Sequence, residues 1–445
     1  MTVPEPHPAT AARDAQAILQ SLQAGVVPRR GLEHLAVGRA AEVRQALGEL
    51  EVLRGGAGVF KILSGDYGSG KTFLLMLIRQ VALARGYLVA DADLAPDLRL
   101  RGEGRGLATY RQLLARLSSD SRPDGAALGV VLDRWAERVR DGALQRLAPA
   151  ALQAGEAGRS PLLAAAVDRE LRARLRPIQE QPGGFTLAAV LRRYYEAAFA
   201  GDEDAAAAAL RFVRGEYRTG AELRAALRLP GATPIADDTW YDHLRLLALV
   251  AVDAGYAGLL VMLDEGVNLY RIAQPEARAS NYEVLLRLLN DALQGRSAHL
   301  GFYLAGPPEL LSDPRRGLAS YPALRSRLSA NPFADARHRD LAQPVLELAP
   351  LSASESLALL LKVRDLHAGF YGGAAVDDLA VSGFLGRLLA RPGAERFLTV
   401  RETLRAFVQA LNVLAQHPEA DRAAVLGQAE KQVAEARFVA LDLDP

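Results

Sequence analysis

The chain has 445 residues, too many for one ordinary core, and its 50% hydrophobic and 24% charged content describes a globular protein of two or three domains, or one domain with a large insertion. Lys and Arg number 53 against 52 Asp and Glu, so a formal net charge of +1 points to neither a nucleic-acid nor an acidic partner, and any DNA surface must come from local clustering. Cysteine is absent, which excludes disulfides, thiolate metal sites and cysteine nucleophiles, and the 7 histidines are scattered without H-E-x-x-H spacing, which argues against a zinc enzyme.

The opening MTVPEPHPAT lacks the basic start and apolar core of a secretory signal, and no apolar run approaches the roughly 20 residues that cross a bilayer, so no membrane role and a cytoplasmic location are expected. Residues 1–57 read as an amino-terminal helical segment. A helix is predicted over 11–24, ended by Gly25 and Pro28, and Val37-Gly38-Arg39 leads into an amphipathic helix over 40–53.

Residues 58–104 carry the first half of a nucleotide-binding core. Val59 to Leu63 is a short apolar, β-prone run, and Phe73 to Ile78 begins a helix-prone one. Between them Gly65-Asp66-Tyr67-Gly68-Ser69-Gly70-Lys71-Thr72 fits G-x-x-x-x-G-K-[ST] at every fixed position. Strand, glycine loop and helix let backbone N–H groups wrap a phosphate at a helix N-terminus. Lys71 would neutralise the β- and γ-phosphates of ATP, and the Thr72 hydroxyl would ligate Mg²⁺. Residues 65–73, through Phe73, are the candidate nucleotide-contacting run. A second strand is predicted over 87–94.

Residues 105–245 are a succession of helical patterns separated by turn signals such as Arg122-Pro123-Asp124-Gly125 and Pro182-Gly183-Gly184, with no repeat period. They read as an all-helical insertion. The core resumes over 246–350 with Ala257 to Leu263, an apolar run suited to a central parallel strand. It ends in Asp264-Glu265: Asp264 would hold Mg²⁺, and Glu265 would orient and deprotonate the attacking water. Capping-box spacing at Ser280-Asn281-Tyr282-Glu283 predicts a helix from there to about Leu293. Strands follow at 299–305 and near 345–348. Residues 351–445 are helical, opened by a second capping box at Ser352-Ala353-Ser354-Glu355 and suited to a lid. The alternation makes the fold class α/β, a parallel-sheet P-loop core with a helical insertion and a carboxyl-terminal helical lid.

The order of these parts resembles an AAA+ ATPase of the initiator or helicase-loader type. It is more closely similar to the ATP-binding proteins of BREX phage-defence systems, the BrxD-like family. The resemblance rests on Val37-Gly38-Arg39, the glycine loop, Leu263-Asp264-Glu265-Gly266-Val267-Asn268-Leu269, the Asn281-Tyr282 helix, and Gly301 to Glu309. It implies ATP and Mg²⁺ as ligands, self-association, and DNA or a helicase-like protein as partner. It implies that Val37 and Gly38 pack on the adenine, although the same residues also read as a surface turn before a helix. The strand after Asp-Glu usually ends in a polar sensor, whereas here it reads Ala305-Gly306-Pro307. Arginine fingers are implied at Arg325 and Arg327, which read equally as a basic helix face. Leu398-Thr399-Val400-Arg401-Glu402 sits where a second sensor arginine opens a lid helix, so Arg401 is the candidate.

Two functions compete: an ATPase acting on DNA or a DNA-processing partner, and a nucleotide-gated scaffold or helicase loader with little turnover. Arg99, Arg101 and Arg105, and Arg169, Arg172, Arg174, Arg176, Arg192 and Arg193, could serve DNA, but interleaved acids explain them equally as solvated faces. A small-molecule phosphotransferase is disfavoured, because Glu265 suits activation of water.

Overall fold

The structure is a computed structural model, and it describes residues 8–147, 156–335, 338–391 and 399–441. The first seven residues and Leu398, both invoked above, lie outside this set. The chain divides into two compact units, one of Met1–Ala46, Leu63–Gln80 and Glu347–Pro445, the other of Leu47–Ile62 and Val81–Leu346.

In chain order the elements are α1 (Pro8–Gln23), α2 (Ala40–Arg54), β1 (Val59–Ser64), α3 (Lys71–Ala84) and β2 (Leu88–Asp93). Among the described residues seven helices follow: α4 (Arg105–Ala115), α5 (Leu128–Gln145), α6 (Glu156–Gln179), α7 (Gly184–Ala200), α8 (Glu203–Val213), α9 (Gly220–Leu227) and α10 (Trp240–Asp253). Then come β3 (Leu259–Asp264), α11 (Val267–Tyr270), α12 (Pro275–Leu293), β4 (Leu300–Gly306), α13 (Pro308–Ser312), α14 (Pro322–Leu328) and β5 (Val345–Glu347). The last helices are α15 (Ala353–Tyr371), α16 (Asp378–Leu389), α17 (Val400–Gln416) and α18 (Arg422–Leu441).

The strands form one five-stranded parallel sheet in the order β2-β3-β4-β1-β5. β3 is an interior strand: Leu88 pairs with Leu259 and Asp93 with Asp264 on one side, and Leu259 pairs with Leu300 on the other. Its residues Leu259 to Leu263 are all buried, as expected of a strand covered on both faces. β1 is buried along its length although it contains Lys61. That ammonium lies 2.9 Å from Glu49 Oε1 and donates to the Leu341 and Gln343 carbonyls, and the Tyr303 hydroxyl donates to Glu49. A buried charge persists only with such partners.

Helices α4 to α10 share one hydrophobic core with the sheet: Trp135, Leu191, Phe212 and Trp240 belong to the same cluster as Val261 and Phe302. A second cluster joins α1 to the carboxyl-terminal helices through Ile18, Val363, Phe384, Phe407 and Leu411. Ser352 caps α15 with the expected reciprocal box, which holds the Glu355 carboxyl below the ordinary glutamate range, chiefly through the Ser352 backbone N–H. The expected box at Ser280 is not a helix start. α12 begins at Pro275, whose missing N–H suits the first helical turn, and the Ser280 hydroxyl donates instead to Ala277 O within the helix. Asn281 is buried as a bracket: its Oδ1 accepts from the backbone N–H groups of Leu100 and Arg101, and its Nδ2 donates to Arg101 O and Ala277 O.

Two buried histidines give a pH dependence. Burial lowers the pKa of His243, which sits in a small cavity lined by Tyr110, Leu132 and Leu191, and of His367, whose Nε2 faces Asn412 Oδ1 at 3.0 Å. The unfolded imidazoles titrate near 6.5. With folded values below that, stability is full above pH 6.5 and is lost as the pH falls through the lower folded values. The melting temperature is expected to drop between pH 7.5 and 5.5, and His243→Gln with His367→Gln should flatten that drop. An equal drop in the double variant would remove the two imidazoles as its cause.

Candidate nucleotide site

In the first unit the glycine loop leaves the carboxyl end of β1 and runs into α3. Gly68 (φ 81°) and Gly70 (φ 90°) occupy left-handed backbone that a side chain disfavours. A Cβ on Gly68 would lie 2.7 Å from Thr399 Cβ, and one on Gly65 would lie 2.5 Å from Ser69 Oγ and 2.9 Å from Leu348 O. The loop therefore has no room for side chains at two of its glycines. α3 has no acidic residue in its first turn, so no carboxylate there offsets the positive end of the helix dipole.

Lys71 folds back over the loop, its Nζ donating to Gly65 O at 2.6 Å and Asp66 O at 2.9 Å. The exposed Tyr67 ring is 5.9 Å from the same ammonium. Ser69 is buried, and its hydroxyl has no hydrogen-bond partner. Thr72 and Phe73 lie in the first turn of α3, and Phe73 packs against the cluster of the carboxyl-terminal helices.

The elements flanking the loop in this unit are specific. Val37 packs against the same cluster, and a Cβ on Gly38 (φ 69°) would meet Glu355 Oε1 at 2.5 Å, so Gly38 lies at the root of α15. Arg39, to which sequence reasoning gave no role of its own, is buried, and its Nη2 donates to Ser69 O at 2.7 Å and to Ala349 O at 2.8 Å. Nothing but its place before α2 marked it. Thr399, against Gly68, is the N-cap of α17, its hydroxyl accepting from Glu402 N–H at 3.3 Å. Arg401, two residues on, is exposed in the first turn, and its stem comes within 3.9 Å of where a Gly25 Cβ would stand.

In the second unit Asp264 closes β3, half-buried, and its Oδ1 accepts from the Glu265 N–H at 2.7 Å. Glu265 is exposed and left-handed, at φ 56°. For a residue with a Cβ that conformation costs about 1–2 kcal/mol, and such strain collects at functional sites. Gly266 follows: its N–H donates to Ala305 O at 2.8 Å, and a Cβ there would lie 2.6 Å from the same oxygen. The end of β4 is thus held against the turn by backbone, at the position where the sequence lacks a polar side chain. Asn268 Nδ2 donates to Leu94 O, tying the turn to the end of β2. Arg325 and Arg327 are exposed on α14, with Arg327 Nη1 donating to Ala323 O of its own helix.

The arginines of the helical region are largely answered by carboxylates. Arg172 and Arg192 pair with Asp168, Arg174 with Glu170 and Asp253, Arg176 with Glu180, and Arg105 with Glu103. Such faces are close to neutral, which agrees with the solvated-face reading of these residues.

Among the described residues no cluster of three or more His, Asp or Glu could hold a metal by itself, and no helix is long and apolar enough to cross a membrane. Mg²⁺ needs no such cage, because it commonly keeps its waters and takes one or two protein oxygens beside phosphate oxygens.

A protein-family model described as BREX system ATP-binding protein BrxC/D matches residues 10–430. No curated protein matches the chain.

Proposed function

The chain belongs to the BREX system ATP-binding protein BrxC/D family, and from that premise we propose that it is a Mg²⁺-dependent AAA+ ATPase that acts on DNA, or on a DNA-processing partner such as a helicase, in cytoplasmic phage defence. The observation that carries the reading is the glycine loop: left-handed Gly68 and Gly70, no space for a Cβ at Gly65 or Gly68, and Lys71 at the start of a helix with no acid in its first turn.

In this reading the loop N–H groups and Lys71 bind the β- and γ-phosphates, and Thr72 and Asp264 are the residues that would hold Mg²⁺. The metal, when bound, neutralises charge developing on the phosphate oxygens. Glu265 accepts a proton from the attacking water as the water oxygen bonds to the γ-phosphorus and the bond to ADP breaks. Arg325 and Arg327 would reach the nucleotide of a neighbouring copy in a homo-oligomer and Arg401 would act as the lid's sensor arginine, a reading supported only by the exposure of all three.

A second reading, a nucleotide-gated scaffold or helicase loader that turns over little, is favoured by Ala305-Gly306-Pro307 at the end of β4. Phosphate release from MgATP, measured alone and with duplex or single-stranded DNA, separates the two. Release above background, raised by one of the DNAs, is expected. Tight MgATP binding with no release under any condition would establish the scaffold instead, and no binding at all would end both readings.

A further inference from the structure

We propose that Arg39 is a positioning residue that sets the direction of the Gly70 N–H for phosphate and couples it to the root of the carboxyl-terminal helices. The proposal rests on the reading of residues 65–72 as a phosphate loop.

Arg39 uses one nitrogen for two tasks. Nη2 carries two N–H bonds, and they reach carbonyls far apart in sequence, Ser69 O at 2.7 Å and Ala349 O at 2.8 Å. The guanidinium is buried, and its charge is met by Glu42, 3.9 Å from Nη1 and itself only 2% exposed. Burying a guanidinium and a carboxylate is costly unless the surrounding hydrogen bonds are well made.

The consequence for the loop follows from peptide geometry. The described peptides are trans, and a trans peptide is planar with its C=O and N–H pointing in opposite directions. A Ser69 carbonyl drawn to Arg39 therefore turns the Gly70 N–H, which belongs to the same peptide, away from the buried guanidinium. Gly70 has no Cβ to resist the opposite orientation, because glycine accepts either sign of φ. The loop alone leaves this peptide easy to flip. Arg39 selects one orientation.

The second bond links that choice to the helices. Ala349 lies between β5 and Ser352, the N-cap of α15, and the preceding Leu348 N–H donates to Ser64 O at 2.7 Å. Residues 348–349 are thus fastened both to the end of β1 and, through Arg39, to the loop. A displacement of the root of α15 must stretch or break the bond that orients the Gly70 donor, and phosphate bound on that donor must in turn hold the root in place. Lysine cannot replace the fork, since an ammonium lacks the planar, fixed pair of donors.

The test uses the full chain, wild type and Arg39→Lys, with MgATP titration and hydrogen exchange read separately over residues 65–72 and 348–356 at nucleotide saturation. Arg39→Lys keeps a cation opposite Glu42, so its melting temperature without nucleotide is expected to stay within a few degrees of wild type. Its MgATP affinity is expected to fall by about 10- to 100-fold, the scale of one charge-assisted hydrogen bond. At saturation the loop should still be protected, while the protection that MgATP gives residues 348–356 in the wild type should be lost. Unchanged affinity overturns the proposal. Weaker affinity with undiminished protection of 348–356 also overturns it, because that is the signature of a merely structural side chain. Arg39→Ala, which removes the guanidinium beside Glu42, is a second variant: if it folds it should weaken MgATP at least as much as Arg39→Lys, and wild-type affinity in it overturns the proposal. Failure of the wild type to bind MgATP would instead defeat the phosphate-loop reading itself, and this inference with it.

Discussion

Glu265→Gln is expected to lower phosphate release from MgATP by about 10²- to 10⁴-fold, the span of a lost general base, and to leave nucleotide affinity within a few-fold of wild type. The substitution is nearly isosteric. It keeps the exposed position and the left-handed turn, and the Asp264 Oδ1 bond at 2.7 Å is to the Glu265 backbone N–H, so it survives the change. What disappears is the group that can take a proton from water. A stopped assay of released phosphate beside a nucleotide-binding titration reads the two effects apart. A wild type as slow as the variant would remove Glu265 as a base and favour the scaffold.

Lys71→Ala should act one step earlier and abolish binding in practice, raising the dissociation constant for MgATP by about 10²- to 10³-fold, as expected when a preorganised charged donor facing phosphate is removed. The ammonium also spans the loop to Gly65 O and Asp66 O, so its loss removes two hydrogen bonds along with the charge. The fold should remain, because Lys71 belongs to neither hydrophobic cluster. Calorimetric titration reads the affinity, and a melting curve without nucleotide checks the fold. Binding of wild-type strength in the variant would mean that these eight residues are not where the triphosphate sits.

The contrast between the two capping boxes shows where sequence reading worked. At Ser352 the pattern had no rival start nearby, and the structure closes both of its hydrogen bonds. At Ser280 the same spacing lay inside a longer helical run whose first turn was better served by Pro275. Local pattern ranks candidate starts poorly when two compete, because the choice depends on what each turn packs against. Asn281 shows the same limit: three of its four bonds go to residues 100 and 101, partners that no window of sequence around it contains. The arginines of the helical region looked like a possible DNA surface, and only the structure shows the carboxylates that pair with some of them, such as Asp168 for both Arg172 and Arg192.

By itself the sequence determined the local chemistry: a buried strand, a glycine loop with Lys71 and Thr72, a helix behind it, and an apolar strand ending in Asp264-Glu265. Hydrophobic periodicity and glycine spacing are short-range properties, so they can be read residue by residue. Only the tertiary structure decided that Glu265 stands in a strained left-handed turn, that Thr399 abuts Gly68, and that the helices between β2 and β3 share a core with the sheet. It also decided that a lone arginine at position 39 is buried between carbonyls 30 and 310 residues away in the chain. Such features depend on which distant groups share the low-dielectric interior, and an unpaired donor there is costly in a way that no local pattern records.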